Sequence, residues 1–338
     1  MPSPLEQLVA GALGWLGRNL DHFDPFSASA RSATHTKAKA ALELALLCHC
    51  AARTEGGAAP EGLTAPEELT GATALVHKLW QDPEFPRLFD EVPRYAATYG
   101  LIYAALAPDG IDDTQCRATV ARLAPDFLSP HGKSPYRRIE IRYYADKAGV
   151  RHGIEPYAEL LPRSPLLALR AAGPEDPPSR DRAAEDGASR DGAAENPTPR
   201  NGAAPLATSE AYALTHTGFY LGDFGRTAPG LAGGALAHAR DLVDRMLRHC
   251  VEHDRWDLAA ELVLTQFILG DEPLHTPSGA AAVECLLRAQ RPDGAIPGRS
   301  AALTASPSAT AGEFFGKAYH TTLVTALMAL TVSSPRPS

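Results

Sequence analysis

Four stretches in the last third of the chain, ALAHARDLVDRMLRHCVEH (235–253), WDLAAELVLTQFILG (256–270), GAAAVECLLRAQ (279–290) and AYHTTLVTALMAL (318–330), space their apolar residues three and four apart. That spacing builds one buried face on a helix, and four such faces in succession can be covered only by other helices. Upstream, AKAALELALLCHCAAR (38–53), ALVHKLW (74–80), YAATYGLIYAALA (95–107) and TQCRATVARLA (114–124) are rich in alanine and leucine. They are broken by GGAAPEG, DPEFP and APDGIDD, which is helix punctuation. RRIEIRYYADKAG (137–149) alternates with period two and reads either as a strand or as the opening of a helix. No other segment reads as a strand, so the expected class is all-α. Helix pairs joined by short turns leave a solenoid, a bundle or a closed ring of pairs as the candidate architectures.

Residues 173–207 are proline, glycine, alanine and charge, with almost no large apolar side chain. Such a segment cannot offset its ordering entropy and is expected to be a disordered linker. It divides an N-terminal helical half, 1–172, from a C-terminal half, 208–332, and the two are expected to form one domain. The 338 residues are 44% hydrophobic with a formal net charge of −8. This balance supports a large core and argues against nucleic acid as a partner. No run of about 18 apolar residues suggests a membrane span, and the first helix lacks a basic leader and a cleavage signature, so a cytoplasmic protein is expected. The five cysteines, Cys48, Cys50, Cys116, Cys250 and Cys285, are expected to be reduced and mostly buried.

LLRAQRPDGAIPG places Gln290 at a helix end and Asp293-Gly294 in the next turn, and YHTTLVTALMAL then opens another helix. This pairing resembles the Gln-x-x-Asp-Gly turns and His-x-Thr helix starts of α/α-toroid proteins, which include terpene cyclases, prenyltransferase β-subunits and lanthipeptide cyclases. The resemblance implies a ring in which inner helices alternate with outer ones and present side chains to a central funnel. YALTHTGFYLGDFG, DLAAEL and YHTTLVTAL are together similar to the signatures of an uncharacterised helical family of natural-product pathways.

The densest chemistry lies in YALTHTGFYLGDFGR (212–226). On a helix, Tyr212, His216 and either Phe219 or Tyr220 share a face, with Asp223 at the exit. His216 suits a general acid or base, with Tyr220 or Arg226 stabilising developing negative charge. The alternative is a buried His-Asp pair that cements a helix corner. Asp257 and Glu261 are four apart on one helix face, and if buried they need a cation or a shared proton. Tyr319, His320, Thr321 and Thr322 crowd an expected helix start, where one threonine can serve as a cap. In the ring reading His216, Asp223, Glu261 and His320 converge. They also form a conceivable Zn(II) or Fe(II) ligand set, but no His-x-x-x-His or Glu-x-x-His spacing supports one.

Arg137 and Arg138 are candidates for binding a substrate carboxylate or phosphate, against the alternative of a salt-bridged face. Tyr212, Asp257, Tyr319 and Thr321 are further candidate substrate contacts. Classical lanthipeptide cyclases hold zinc through separate Cys-Gly and Cys-His-Gly turns. Here Cys48-x-Cys50 sits inside a helix, where its two side chains diverge, so zinc of that kind is not expected. No phosphate-binding glycine loop, nucleophile elbow or Asp-rich prenyl-diphosphate motif is present.

The resulting expectation is a peptide-modifying enzyme of natural-product (RiPP) biosynthesis that needs no cofactor or metal. In its concrete form it is a cyclase that adds a cysteine thiol to a dehydroamino acid. Its partners would be a precursor peptide or another pathway intermediate, and other biosynthetic enzymes. The rival expectation is a non-catalytic helical scaffold that binds a peptide or partner enzyme.

Overall fold

The computed structural model describes residues 2–27, 34–55, 67–171, 204–298 and 311–336. Among them every regular element is helical: α1 Pro4–Arg18, α2 Leu20–Phe23, α3 Thr34–Glu55, α4 Glu67–Gln81, α5 Pro93–Ala105, α6 Thr114–Ala121, α7 Pro135–Lys147, α8 Tyr157–Leu160, α9 Pro165–Ala168, α10 Thr208–Leu221, α11 Gly233–Glu252, α12 Trp256–Ile268, α13 Pro277–Ala289 and α14 Ala311–Ser333. Several starts follow from local chemistry. Ser3 and Glu6 form a capping box ahead of Pro4, and Ser134 and Thr276 cap α7 and α13, each with proline at the first helical position.

The stretch that alternates with period two, 137–149, is helical. Ile139, Ile141, Tyr143, Tyr144 and Ala145 are all buried because α7 is covered by α5 on one side and α10 on another. A helix buried on two sides needs apolar residues around much of its circumference, and this blurs the amphipathic period. The helix expected to start near Tyr319 begins instead at Ala311. Thr321 and Thr322 therefore sit inside α14 and cannot cap it. Thr322 donates back to Ala318 O at 2.8 Å and accepts Ile296 N–H at 2.9 Å, tying the loop after α13 to α14.

The contacts between helices run in a cycle: α3 touches α5, α5 touches α7, α7 touches α10, α10 touches α12, α12 touches α14, and α14 returns to α3. The other helices lie against this set, with α1 on α14, α4 on α3, α6 on α5, and α11 and α13 on α12. Every residue of α12 from Leu258 to Ile268 is buried, as expected of a helix covered all round. Among the described residues, no helix is long and apolar enough to cross a membrane.

Two joints hold the chain's distant parts together. Trp15 and Tyr319 stack on Phe315 and Phe23 meets it edge-on, in one aromatic cluster joining α1, α2 and α14. The Gln290–Gly294 turn docks on α1, where Gln290 Nε2 donates to Leu8 O and Arg18 donates to Asp293 O. Gly294 has φ 88°, and a Cβ there would sit 1.9 Å from Gly11 O. Only glycine permits both that backbone and that approach. Of the segment expected to be a linker, residues up to 203 lie outside the described residues. Leu206, at its far end, is buried and leads into α10. All five cysteines are free, and four are buried.

Candidate functional site

Five helices of the cycle turn polar side chains toward one another. α10 contributes His216, α12 Glu261, α14 His320, α3 Glu43 and α7 Tyr136. Glu261 is 1% exposed, and an ionised carboxylate at that depth requires partners. Its Oε2 accepts the Thr215 hydroxyl at 2.5 Å. Its Oε1 faces His216 Nε2 at 3.5 Å and His320 Nε2 at 3.9 Å. Glu261 thus has a hydroxyl and two imidazoles for partners, and Asp257, which is only half-buried, does not share its surroundings. Asp257 is occupied separately by the Tyr212 hydroxyl.

The outer nitrogens of both imidazoles are also engaged. His216 Nδ1 lies 3.2 Å from the Tyr136 hydroxyl, and His320 Nδ1 lies 3.3 Å from each Glu43 oxygen. The chain of contacts reads Tyr136, His216, Glu261, His320, Glu43. Burial works against a charge on His320, but the Glu43 carboxylate and its hydrogen bond outweigh it and raise the imidazole's pKa. Burial works against Glu43 in turn, and His320 and Lys39 reverse that effect and lower its pKa. Burial holds the Tyr136 phenol well above its ordinary value, so it stays protonated near neutral pH. About a third of each imidazole remains accessible to solvent, yet burial is the largest influence on His320.

A second group lies beyond Tyr220. The Tyr220 ring is 6.2 Å from His216 and 5.1 Å from Tyr143, and its hydroxyl donates to Glu140 at 3.4 Å. Tyr143 donates to Asp223 at 2.8 Å, and Asp223 also takes Arg53 at 2.8 Å and Lys147 at 2.9 Å. Burial would raise the Asp223 carboxyl, but the hydrogen bonds from Arg53, Lys147 and Tyr143 prevail and hold it at about 2. The backbone here is left-handed at three successive residues, Asp223 (φ 42°), Phe224 (φ 53°) and Gly225 (φ 92°). Two of these are not glycine, so the turn costs energy that the three ligands of Asp223 offset.

The remaining sequence candidates fall as follows. Arg226 donates to Arg53 O. Arg137 pairs with Glu140 and donates to Thr98. Arg138 turns away to Glu155 and Lys133 O. Tyr319 and Thr321 are 3% exposed, with Tyr319 in the aromatic cluster. Sequence reasoning missed Glu43, Tyr136, Glu140, Arg53 and Lys147. Among the described residues, no group of three or more His, Cys, Asp or Glu side chains is arranged to hold a metal ion.

The chain belongs to the family described as a domain of unknown function, DUF6895, whose model matches residues 9–330. No curated protein and no solved structure matches it.

Proposed function

We propose that this protein is an acid–base enzyme whose two imidazoles exchange protons with a substrate and are reset through the carboxylate between them. The observation that carries this reading is the position of Glu261, one oxygen of which faces both His216 and His320. Thr215 already donates to the other oxygen of Glu261, so the first oxygen is left to the two rings. A carboxylate between two titratable rings provides a path for a proton.

With Tyr136 protonated, its hydroxyl donates to His216 Nδ1, and Nε2–H is left facing Glu261. A substrate proton then enters at the phenol oxygen as the phenol's own proton passes to Nδ1. Glu261 stabilises the imidazolium that forms. His320, biased toward its charged form by Glu43, delivers a proton at the other end. In the reaction expected from the sequence, a cysteine thiol adds to a dehydroamino acid. The carbon–sulfur bond forms as the carbon–carbon double bond breaks, the thiol proton goes to the Tyr136–His216 pair, and His320 protonates the α-carbon. A proton passed from His216 through Glu261 to His320 restores the starting state. The substrate would be a modified precursor peptide, and the cycle of helices, read as a toroid, would place it over the two imidazoles.

The test is to incubate the protein with a dehydrated, cysteine-bearing peptide and follow the loss of free thiol. The reading expects thioether formation at about 10²-fold or more above the spontaneous rate, the lower range for positioned acid–base groups. A rate equal to that in buffer would overturn the thioether assignment.

A further inference from the structure

We infer that Arg53, Lys147 and Arg226 form an anion-binding site that takes an oxyanion group of the substrate, a carboxylate or a phosphate. The three cations come from separate parts of the fold: the end of α3, the end of α7 and the turn after α10. Arg53 and Lys147 converge on one carboxylate, Asp223. Arg226 donates to the Arg53 backbone carbonyl, and all three cations act on the buried Cys50 thiol. Among the described residues, no carboxylate pairs with Arg226. One negative charge thus stands against three positive ones.

The surrounding groups do not cancel this excess. His49, 3.4 Å from Arg53, is held down to about 4 by burial and then by Lys147 and Arg53, so it is neutral near pH 7. Asp109, exposed on the connection after α5, is the weakest of the charges acting on His49. Tyr143 brings a phenol O–H, which donates and adds no charge. Solvent reaches the group, since 34% of the Arg53 side chain and 18% of Lys147 are accessible.

Asp223 takes both ends of the Arg53 guanidinium, Nη1 at 3.2 Å and Nη2 at 2.8 Å, so the donors left for an anion are those of Arg226 and Lys147, and the net positive charge in a partly desolvated place favours one. The row Tyr143, Tyr220, His216 connects this group to the imidazoles. A substrate anchored here by its oxyanion would reach past the buried Tyr143 and Tyr220 rings to the imidazoles. The anchoring role rests on the acid–base reading above. The binding itself is measured without turnover, so the two can fail separately.

The experiment titrates full-length protein with inorganic phosphate and, in a second arm, acetate, at low ionic strength by calorimetry. Histidine ring resonances are followed in parallel. At least one probe is expected to bind at a single saturable site, and the His49 resonances should move along the same curve. Phosphate alone, acetate alone or both identify the oxyanion accepted, and each supports the site. Lys147→Met should weaken binding by at least tenfold. Asp223→Asn, which removes the competing negative charge, should tighten it by threefold or more. Absence of saturable binding by either probe, or binding that leaves His49 unmoved in the unmutated protein, would overturn the inference. The second criterion holds even if a variant fails to fold.

Discussion

His320 on α14 faces Glu43 on α3 through Nδ1 at 3.3 Å, although 277 residues separate the two in the chain. The signs of their shifts set a pH window. Glu43 is depressed, so its contribution to stability is present above the ordinary carboxyl value of 4.5 and is lost as pH falls through its lowered value. His320 is raised, so its contribution is full below the ordinary 6.5 and is lost as pH rises through its raised value. Glu43→Gln should therefore lower the melting temperature most between these limits, and the gap from wild type should narrow at pH 9. A gap of constant size across that range would contradict the ion pair.

Asp223 is held at about 2, so its stabilising effect is complete above the ordinary 3.8 and fades only as pH falls toward 2. Asp223→Asn should cost on the order of 1 to 3 kcal/mol at pH 7, the usual penalty for stranding buried polar partners. Denaturant melts at pH 7 and pH 3 check this, and the difference should be smaller at pH 3.

Gly225 combines φ 92° with crowding, since a Cβ would lie 2.9 Å from the Thr331 methyl and 3.1 Å from the Phe267 ring. Gly225→Ala should destabilise by about 1 to 3 kcal/mol through backbone strain alone. Unchanged melting would show that the turn relaxes without cost.

Thr322→Val serves as a structural contrast. It removes the acceptor for Ile296 N–H and the bond to Ala318 O. A loss of about 1 to 3 kcal/mol is expected. Turnover per folded molecule should be normal, which a melting curve and an activity assay on the same sample measure.

Periodicity was enough to identify most of the helices and which residues share a side of each, but the meeting of His216, Glu261 and His320 was expected only on the ring reading, and 137–149 was open between strand and helix. Glu43 and Lys147 were not legible, since one charge in an alanine-rich or mixed helix has the same pattern whether it meets solvent or a distant imidazole. Their partners lie 277 and 76 residues away, beyond any local signal. Tyr136 was hidden by its neighbours, as SPYRR looks like a capped surface helix and its contact with His216 spans 80 residues. Arg138, adjacent to Arg137, points elsewhere because neighbours on a helix are about 100° apart. Tyr319 looked like a helix-start residue only because the roughly two turns of helix before it, AGEFFGK, lack a clear apolar face.

The most direct test of the proton path pairs a melting curve with thioether-forming turnover for His216→Asn, Glu261→Gln, His320→Asn and the double variant His216→Asn/His320→Asn. If the three groups act as one relay, each single change lowers turnover by about 10²- to 10⁴-fold while unfolding stays cooperative. The double variant then falls little further, because groups acting as a unit are not additive. If all four variants melt early yet keep normal turnover in the folded fraction, these residues are structural cement and the acid–base reading is wrong.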